Sequence, residues 1–267
     1  MPTIIIFTDL DGTLLHPRTY SFDEARPALE LIRQRGTPLV LCSSKTRAEI
    51  EVYRRRLEND HPFISENGGG VFIPEGYFPS FADGERQDEY RLIRFGSPYQ
   101  ELRKELTDLR ERLSIKVRGF GDMSAQEIAS ISGLSESDAV LAKMRDFDEP
   151  FIFEESSTLA DVFLRAIEDR GYRWTRGRFH HIIDENDKGR AVTFLKDLYE
   201  KKCGPIRTIG IGDSLNDLPL LRAVDLPVLV RKADGTYEEE ISLSNLIRAD
   251  GIGPQGWNSA VMGLLSE

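Results

Sequence analysis

Asp9 and Asp11 stand two residues apart in FTDLDGTLL, directly after the apolar run Ile4-Ile5-Ile6. Two carboxylates where a buried strand runs out repel each other and are costly to desolvate, so the pair needs a cation to make it tolerable. Three more polar clusters follow apolar runs: Ser43-Ser44-Lys45 after PLVLC, Glu66-Asn67-Gly68-Gly69 after PFIS, and GDSLND, with Asp213, Asn216 and Asp217, in the run that starts RTIGIGD. Lys188 opens the helical segment DKGRAVTFLKDLYEKK, an end where a lysine is disfavoured unless an anion lies near. Carboxylates, small hydroxyls, one lysine and glycine turns at one pole suit Mg2+. That hard cation takes oxygen ligands and bridges carboxylates to a phosphate.

Other chemistries fit less well. DLDGTLL begins like a calcium loop but lacks the later ligands at the right spacing. His180 and His181 are adjacent, so on a strand they face opposite sides and cannot share a zinc. The glycines at 68–70 lack the spacing of a nucleotide-binding loop, and no Ser-His-Asp set is apparent. Cys42 and Cys203 have no metal-ligand spacing and read as buried free thiols.

For these clusters to meet, the strands that carry them must lie side by side. Residues 3–8, 38–42 and 62–65 read as short, continuously apolar strands. Between them lie helices opened by two capping boxes, Ser21 with Glu24 and Thr46 with Glu49, the first helix running to Gly36. Strand–helix–strand repetition with apolar strands predicts a parallel sheet with right-handed crossovers. The rhythm then changes. VFIPEGYFP reads as a hairpin, and SFADGERQDEY, residues 80–90, as a polar connector. Strands are expected at 90–95, 115–119, 150–154, 172–176 and 178–183, the last two turning at Gly177. Helices are expected at 97–112, 124–132, 135–144 and 156–170. The α/β rhythm resumes with the helix from 188, a strand at 207–213, a helix over LNDLPLLRAV and a strand LPVLV. The expected fold class is α/β: a doubly wound, mainly parallel core (1–83 and 187–267) interrupted by an α+β module (84–186). In such a sheet ligands sit at the carboxyl ends of the strands.

The 267 residues, 40% hydrophobic and 30% charged, describe a globular protein large enough for one big domain or two modest ones. A net charge of −10 argues against a nucleic-acid partner and requires local positive charge wherever an anion binds. No apolar run reaches the roughly 18–20 residues of a membrane span, and the N-terminus lacks a signal-peptide profile. A cytoplasmic location is the expectation.

DLDGT resembles the first motif, DxDx[TV], of the haloacid dehalogenase-type phosphatases. Ser43, Lys188 and GDSLND resemble the second, third and fourth motifs, in the family's order. The inserted module resembles the C2B cap of the Cof-type (IIB) subfamily. SSKTRAEIEVYRRRLE, PFISENGGGVFIP, RDFDEPF, RWTRGRFHHI and GPQGWNSAV are similar to the mannosyl-3-phosphoglycerate phosphatases, over nearly the whole chain. Where the wider subfamily has TGR, this chain has Ser43-Ser44-Lys45. The resemblance implies a Mg2+-dependent phosphatase acting on a small phosphorylated sugar-glycerate. Asp9 is then the nucleophile and Asp11 the general acid and base. Asp9, the backbone carbonyl of Asp11 and Asp213 hold the metal, and Asp217 orients a metal-bound water. Ser43, Lys188 and Asn216 hold the phosphoryl group, helped by the backbone amide of Ser44. Lys45, Asn67, Arg145, Arg176, Arg178 and His180 are the candidates for the rest of the substrate. From the residues alone, Ser43 or Ser44 could instead merely cap the helix at 46, His180 could be a packed strand residue, and Arg145 a solvated one. A related sugar-phosphate phosphatase (for glucosyl-3-phosphoglycerate or sucrose phosphate) or a non-catalytic phospho-sugar binder would share the motifs. The connectors near 80–86 and 184–188 are the expected hinges of cap closure.

Overall fold

The computed structural model describes residues 2–79, 81, 83–154 and 159–266. The first apolar run forms β1 (Thr3–Thr8), and α1 (Arg26–Arg35), β2 (Leu39–Cys42), α2 (Arg47–Leu57) and β3 (Phe63–Ser65) follow in the expected alternation. The capping box at Thr46 forms: the Glu49 N–H donates to Thr46 Oγ1 at 3.2 Å, and the Thr46 N–H to Glu49 Oε2 at 3.0 Å. The box expected at Ser21 does not. Ser21 Oγ instead accepts from the Asp23 N–H and donates to the Asp23 carboxylate, a local turn that competes with helix capping. A 3-10 turn at Asp23–Ala25 then leads into α1, with Pro27 in its first turn, where a missing N–H costs nothing.

The segment VFIPEGYFP is not a hairpin on itself. It supplies β4 (Gly70–Pro74), which pairs antiparallel with β3 and with β6 (Tyr90–Arg94), and β6 pairs with β5 (Glu85–Gln87). The strand expected at 90–95 as the start of the insert therefore extends the core sheet.

Next come α3 (Tyr99–Leu113), β7 (Val117–Gly119), α4 (Ala125–Ser132), α5 (Glu136–Ala142), β8 (Glu149–Phe153), α6 (Ala160–Asp169), β9 (Arg173–Arg176) and β10 (His180–Ile183). They build a separate antiparallel sheet, β7-β8-β10-β9. The helix expected at 156–170 begins at Ala160, its first residues lying outside the described ones, as do positions 80 and 82 of the expected first hinge. Leu102, Leu106 and Leu109 of α3 pack with Phe163 and Ile167 of α6 against one face of this sheet. On its other side α4 and α5 form a smaller cluster around Phe120 and Ile128, with Phe179 against it.

The chain returns to the core through α7 (Lys188–Cys203), β11 (Ile206–Gly212), α8 (Leu218–Ala223), β12 (Leu226–Arg231), β13 (Ile247–Ile252) and α9 (Pro254–Ser266). The core sheet order is β13-β12-β11-β1-β2-β3-β4-β6-β5, parallel from β13 to β3. Ile5 and Phe7 face α7 and α8, while Ile6 faces α1 and α9. This two-sided burial is why the strands read as unbroken apolar runs. It also fixes β1 tightly, since each such buried side chain contributes about 1.5–3 kcal/mol. Cys42 is buried, but Cys203 is exposed: Leu198 and Tyr199 are the last buried residues of α7, and the final turn leaves the sheet. Among the described residues no helix is long and apolar enough to cross a membrane.

Candidate active site

Because β1 and β11 are parallel neighbours, with Thr8 paired to Ile211, their carboxyl ends place Asp9 and Asp213 together. Asp217 follows one 3-10 turn later, and Lys188 enters from the start of α7. Lys188 Nζ, fully buried, donates to Asp9 Oδ1 at 2.7 Å and to Asp217 Oδ1 at 2.6 Å. Oxygens of Asp9, Asp213 and Asp217 lie within 4.8 Å of one another. Asp217 is committed on both sides, its Oδ2 accepting the N–H groups of Asp213 and Ser214. Among the described residues the Asp213 carboxylate accepts two long hydrogen bonds, from the hydroxyls of Thr13 and Ser214 at 3.3 Å. Burial pushes Asp9 up to about 7, with Lys188 pulling against it and Asp217 adding to it. Burial also raises Asp213 well above the ordinary carboxyl range, with Asp217 and Asp9 adding to it. Burial works against the charge of Lys188, but Asp217 and Asp9 outweigh it and raise its pKa. With three carboxyl groups against one ammonium, ionising all of them leaves negative charge that Lys188 alone does not offset, and the donors are all hard oxygens. Such a set fits a divalent cation of the magnesium type.

Two backbone details hold the cluster. Gly12 has φ +81°, and a Cβ there would lie 2.7 Å from Asp213 Oδ2, so only glycine lets the loop after β1 pass this closely. Trp257 of α9, fully buried, donates its ring N–H to Thr8 Oγ1 at 2.9 Å, and that hydroxyl donates to the Asp9 carbonyl at 2.8 Å. The last helix thus props the end of β1.

Asp11 lies apart from the three-carboxylate cluster, although the sequence suggested that the acids at 9, 11 and 213 converge. Its carboxylate turns to Lys45, with Oδ2 2.9 Å from Nζ. Lys45 is buried, also pairs with Glu49 at 3.2 Å, and sits over the rings of Tyr20 and Tyr53. Burial opposes its charge, but Asp11 and Glu49 raise its pKa. Ser43 is fully buried, its hydroxyl accepting the Lys45 N–H, and Ser44 faces the open cleft.

That cleft, of about 610 Å³, runs from Asp9, Asp11 and Asp213 to the second sheet, where Arg145, Arg176 and Arg178 line it. Asn216 also lines it, and its Nδ2 donates to Asn67 Oδ1 at 3.2 Å. A profile of the haloacid dehalogenase-like hydrolases matches residues 6–78, the stretch that holds Asp9, Ser43 and Asn67. A Methanococcoides burtonii protein named glucosyl-3-phosphoglycerate/mannosyl-3-phosphoglycerate phosphatase is 47% identical over 265 residues, covering 98% of this chain and 97% of its own. The chain belongs to the haloacid dehalogenase-like hydrolase family. The mannosyl-3-phosphoglycerate phosphatase of Pyrococcus horikoshii is 37% identical over 227 residues, 85% of this chain and 90% of that one. Solved folds agree. A Thermoplasma acidophilum protein superposes with a TM-score of 0.71 at 18% identity, over 100% of both chains. The sucrose-phosphatase of Synechocystis sp. PCC6803 superposes with a TM-score of 0.65 at 12% identity, over 100% of this chain and 98% of that one.

In this haloacid dehalogenase-like hydrolase the second sheet sorts the remaining candidates by register. His180 pairs with Phe151, and its ring stacks on Phe151 at 5.5 Å between centroids, packed toward α3 and α6. It is turned away from the cleft. His181 pairs with Pro150, and both line the cleft. The sequence carried no signal for which histidine faces inward, because the hairpin register decides it. Three further residues were given no individual role, Glu66 being read only as part of the cluster at 66–69. Tyr20, at φ +55°, donates its hydroxyl to the Ser132 carbonyl at 2.9 Å and accepts from Arg178 at 3.1 Å, closing the cleft's rim. Glu66, fully buried, accepts the backbone N–H groups of Asp146, Phe147 and Asp148 at 2.8–3.1 Å. Burial and Asp148 push the Glu66 carboxyl up to about 8, against Arg145 and those N–H groups. Asp148, also fully buried, joins Arg145, Asn67 and His181.

Proposed function

We propose that the chain hydrolyses the phosphate monoester of a sugar-phosphoglycerate, taking mannosyl-3-phosphoglycerate to mannosylglycerate and phosphate. Near full-length identity to phosphatases named for that substrate carries the reading. The buried Asp9–Lys188–Asp217 group, open to a cleft lined by arginines, supports it. The Methanococcoides relative and a Persephonella marina one are named for the glucosyl as well as the mannosyl ester, so the glucosyl substrate is the second reading.

In this scheme Asp9 attacks phosphorus, the glycerate oxygen leaves, and the phosphoryl group passes to the Asp9 carboxylate. Asp11 delivers a proton to the departing oxygen, then removes one from the water that cleaves the aspartyl phosphate. Lys188 holds Asp9 in place and neutralises phosphoryl oxygens, joined by Ser43 and Asn216. Asp9, Asp213 and the Asp11 carbonyl would hold Mg2+, with Asp217 fixing the neighbouring turn. The bound metal supplies the charge that offsets repulsion between carboxylate and phosphoryl group.

Phosphate release is the direct test, measured over a panel of sugar phosphates, nucleotides and both glycosyl-3-phosphoglycerates, with magnesium or chelator. The expected result is a strong preference for the glycosyl-3-phosphoglycerates that chelation abolishes, and no turnover by Asp9→Asn. Equal rates across the panel would defeat the substrate assignment. Binding of the ester by wild type without phosphate release would instead favour a phospho-sugar sensor.

A further inference from the structure

Asp148 sits on the segment that leads into β8, sealed from solvent, with both oxygens in use. Its Oδ1 accepts from Arg145 Nη1 at 2.6 Å, and its Oδ2 accepts from Asn67 Nδ2 at 2.9 Å. The same Oδ2 lies 2.9 Å from His181 Nδ1. A carboxylate offers only acceptors, so Nδ1 carries the proton; Nε2 is left over, and it donates to a ligand anion only in the imidazolium form, with both nitrogens protonated. Among the described residues Nε2 has no partner, and His181 lines the cleft. Arg145 repeats the pattern. Its Nε donates to the Ala142 carbonyl and its Nη1 to the Ser44 carbonyl and Asp148, leaving Nη2 without a partner among the described residues. The guanidinium, 4% exposed, lies over the Phe120 ring at 5.8 Å.

One buried carboxylate therefore grips one nitrogen on each of two donors that reach the cleft and leaves each a second nitrogen for a ligand. Paired donors of this kind suit a planar anion better than a sugar hydroxyl. The phosphoryl end already has Lys188, Ser43 and Asn216 under the reading above. The other anion of a sugar-phosphoglycerate is its glycerate carboxylate. We propose that Arg145 and His181, both aimed by Asp148, form the subsite for that carboxylate, with Asp148 as a positioning residue that never touches substrate. The Asn67 bridge from Asp148 to Asn216 ties this subsite to the phosphoryl end. The inference rests on the sugar-phosphoglycerate reading and deepens it.

The decisive comparison is mannosyl-3-phosphoglycerate against its methyl ester, which removes the carboxylate charge and adds one methyl group. Wild type is expected to prefer the acid at least about tenfold in kcat/KM, because donors left unpaired by the ester cost binding. His181→Ala and Asp148→Asn should each cut that preference to about threefold or less, chiefly through KM for the acid, and His181→Gln, which keeps a donor, should restore part of it. An unchanged preference in folded His181→Ala, or equal losses on acid and ester, would overturn the subsite. Should Asp148→Asn not fold, the two His181 variants decide alone. If wild type releases phosphate from other monoesters but from neither of these, the substrate reading itself fails and this subsite with it.

Discussion

The Lys45 cluster permits a prediction whose size follows from burial. The Lys45 side chain is 4% exposed and that of Glu49 5%, whereas Asp11, the other partner, is 39% exposed. Lys45→Met strands Glu49 as a buried charge without its cation, a loss of about 3 kcal/mol, the low end for a broken buried pair, because water can still solvate Asp11. Glu49→Gln alone leaves Lys45 paired with Asp11, and its amide oxygen can still accept the Thr46 N–H that now goes to Oε2. It should cost about 1 kcal/mol. Simple addition gives about 4 kcal/mol for the double variant, yet the double variant has no orphan charge and should also lose only about 1 kcal/mol, a coupling of about 3 kcal/mol. Urea unfolding with a common slope measures all four corners of this cycle. Turnover should not follow stability: both variants lacking Lys45 release Asp11 from its 2.9 Å partner and should stay slow. A double variant near 4 kcal/mol below wild type would refute the reasoning, since Glu49 would then not depend on Lys45 for its charge.

Two other outcomes are expected. Burial holds His61, whose ring meets the Tyr77 hydroxyl at 2.7 Å, down to about 4, so it stays neutral in the fold while the unfolded chain protonates near 6.5. Stability should therefore fall as pH drops through this window, by about 2 kcal/mol between pH 7.5 and 5, and His61→Gln should remove that part of the slope in urea midpoints. Tyr20→Phe deletes the hydroxyl that reaches the Ser132 carbonyl and Arg178, and should speed hydrogen exchange around 132–134 and raise KM several-fold. Exchange identical to wild type would show that the rim contact is not a clasp.

The parts of this molecule that could be read from sequence are those fixed by local rules and by parallel pairing. An apolar run in a two-sided sheet has to be buried, and the residue after it has to emerge at the strand's carboxyl end, so Asp9 and the GDSLND turn could be placed with no knowledge of contacts. Thr46 and Glu49 act within one turn of chain, and their box formed. Where two local patterns competed, the reading failed: Ser21 has the same spacing to Glu24 but closes on Asp23 first. The edge strands were hidden for a different reason. β5 is Glu-Arg-Gln, exposed or half-buried with no apolar alternation, and it is a strand only because β6 lies beside it. α9 carries Gly256, a poor helix former, at a site where a Cβ would meet the Gly251 carbonyl at 2.5 Å.

The second sheet shows why the substrate side was harder to see than the catalytic side. Asp9, Lys188 and Asp217 are each delivered by the end of an element, so a motif suffices to find them. Arg145, Asn67 and His181 converge on Asp148 from a loop near α5, from the turn after β3 and from β10. Nothing within a few residues of Asp148 says that its carboxylate will be sealed: RDFDEPF holds two aspartates and a glutamate, and the stretch does not tell which of them is buried. Its burial becomes tolerable only when Arg145, Asn67 and His181 have all arrived, so the site is a product of tertiary assembly. Histidine choice follows the same logic. Pairing of β10 with β8 sets His180 against Phe151 and His181 against Pro150, and a slip of one residue would exchange a packed ring for a ligand-facing one. The proposed carboxylate subsite thus depends on a hairpin register and one sealed carboxylate, and both are long-range properties that composition and spacing leave undetermined.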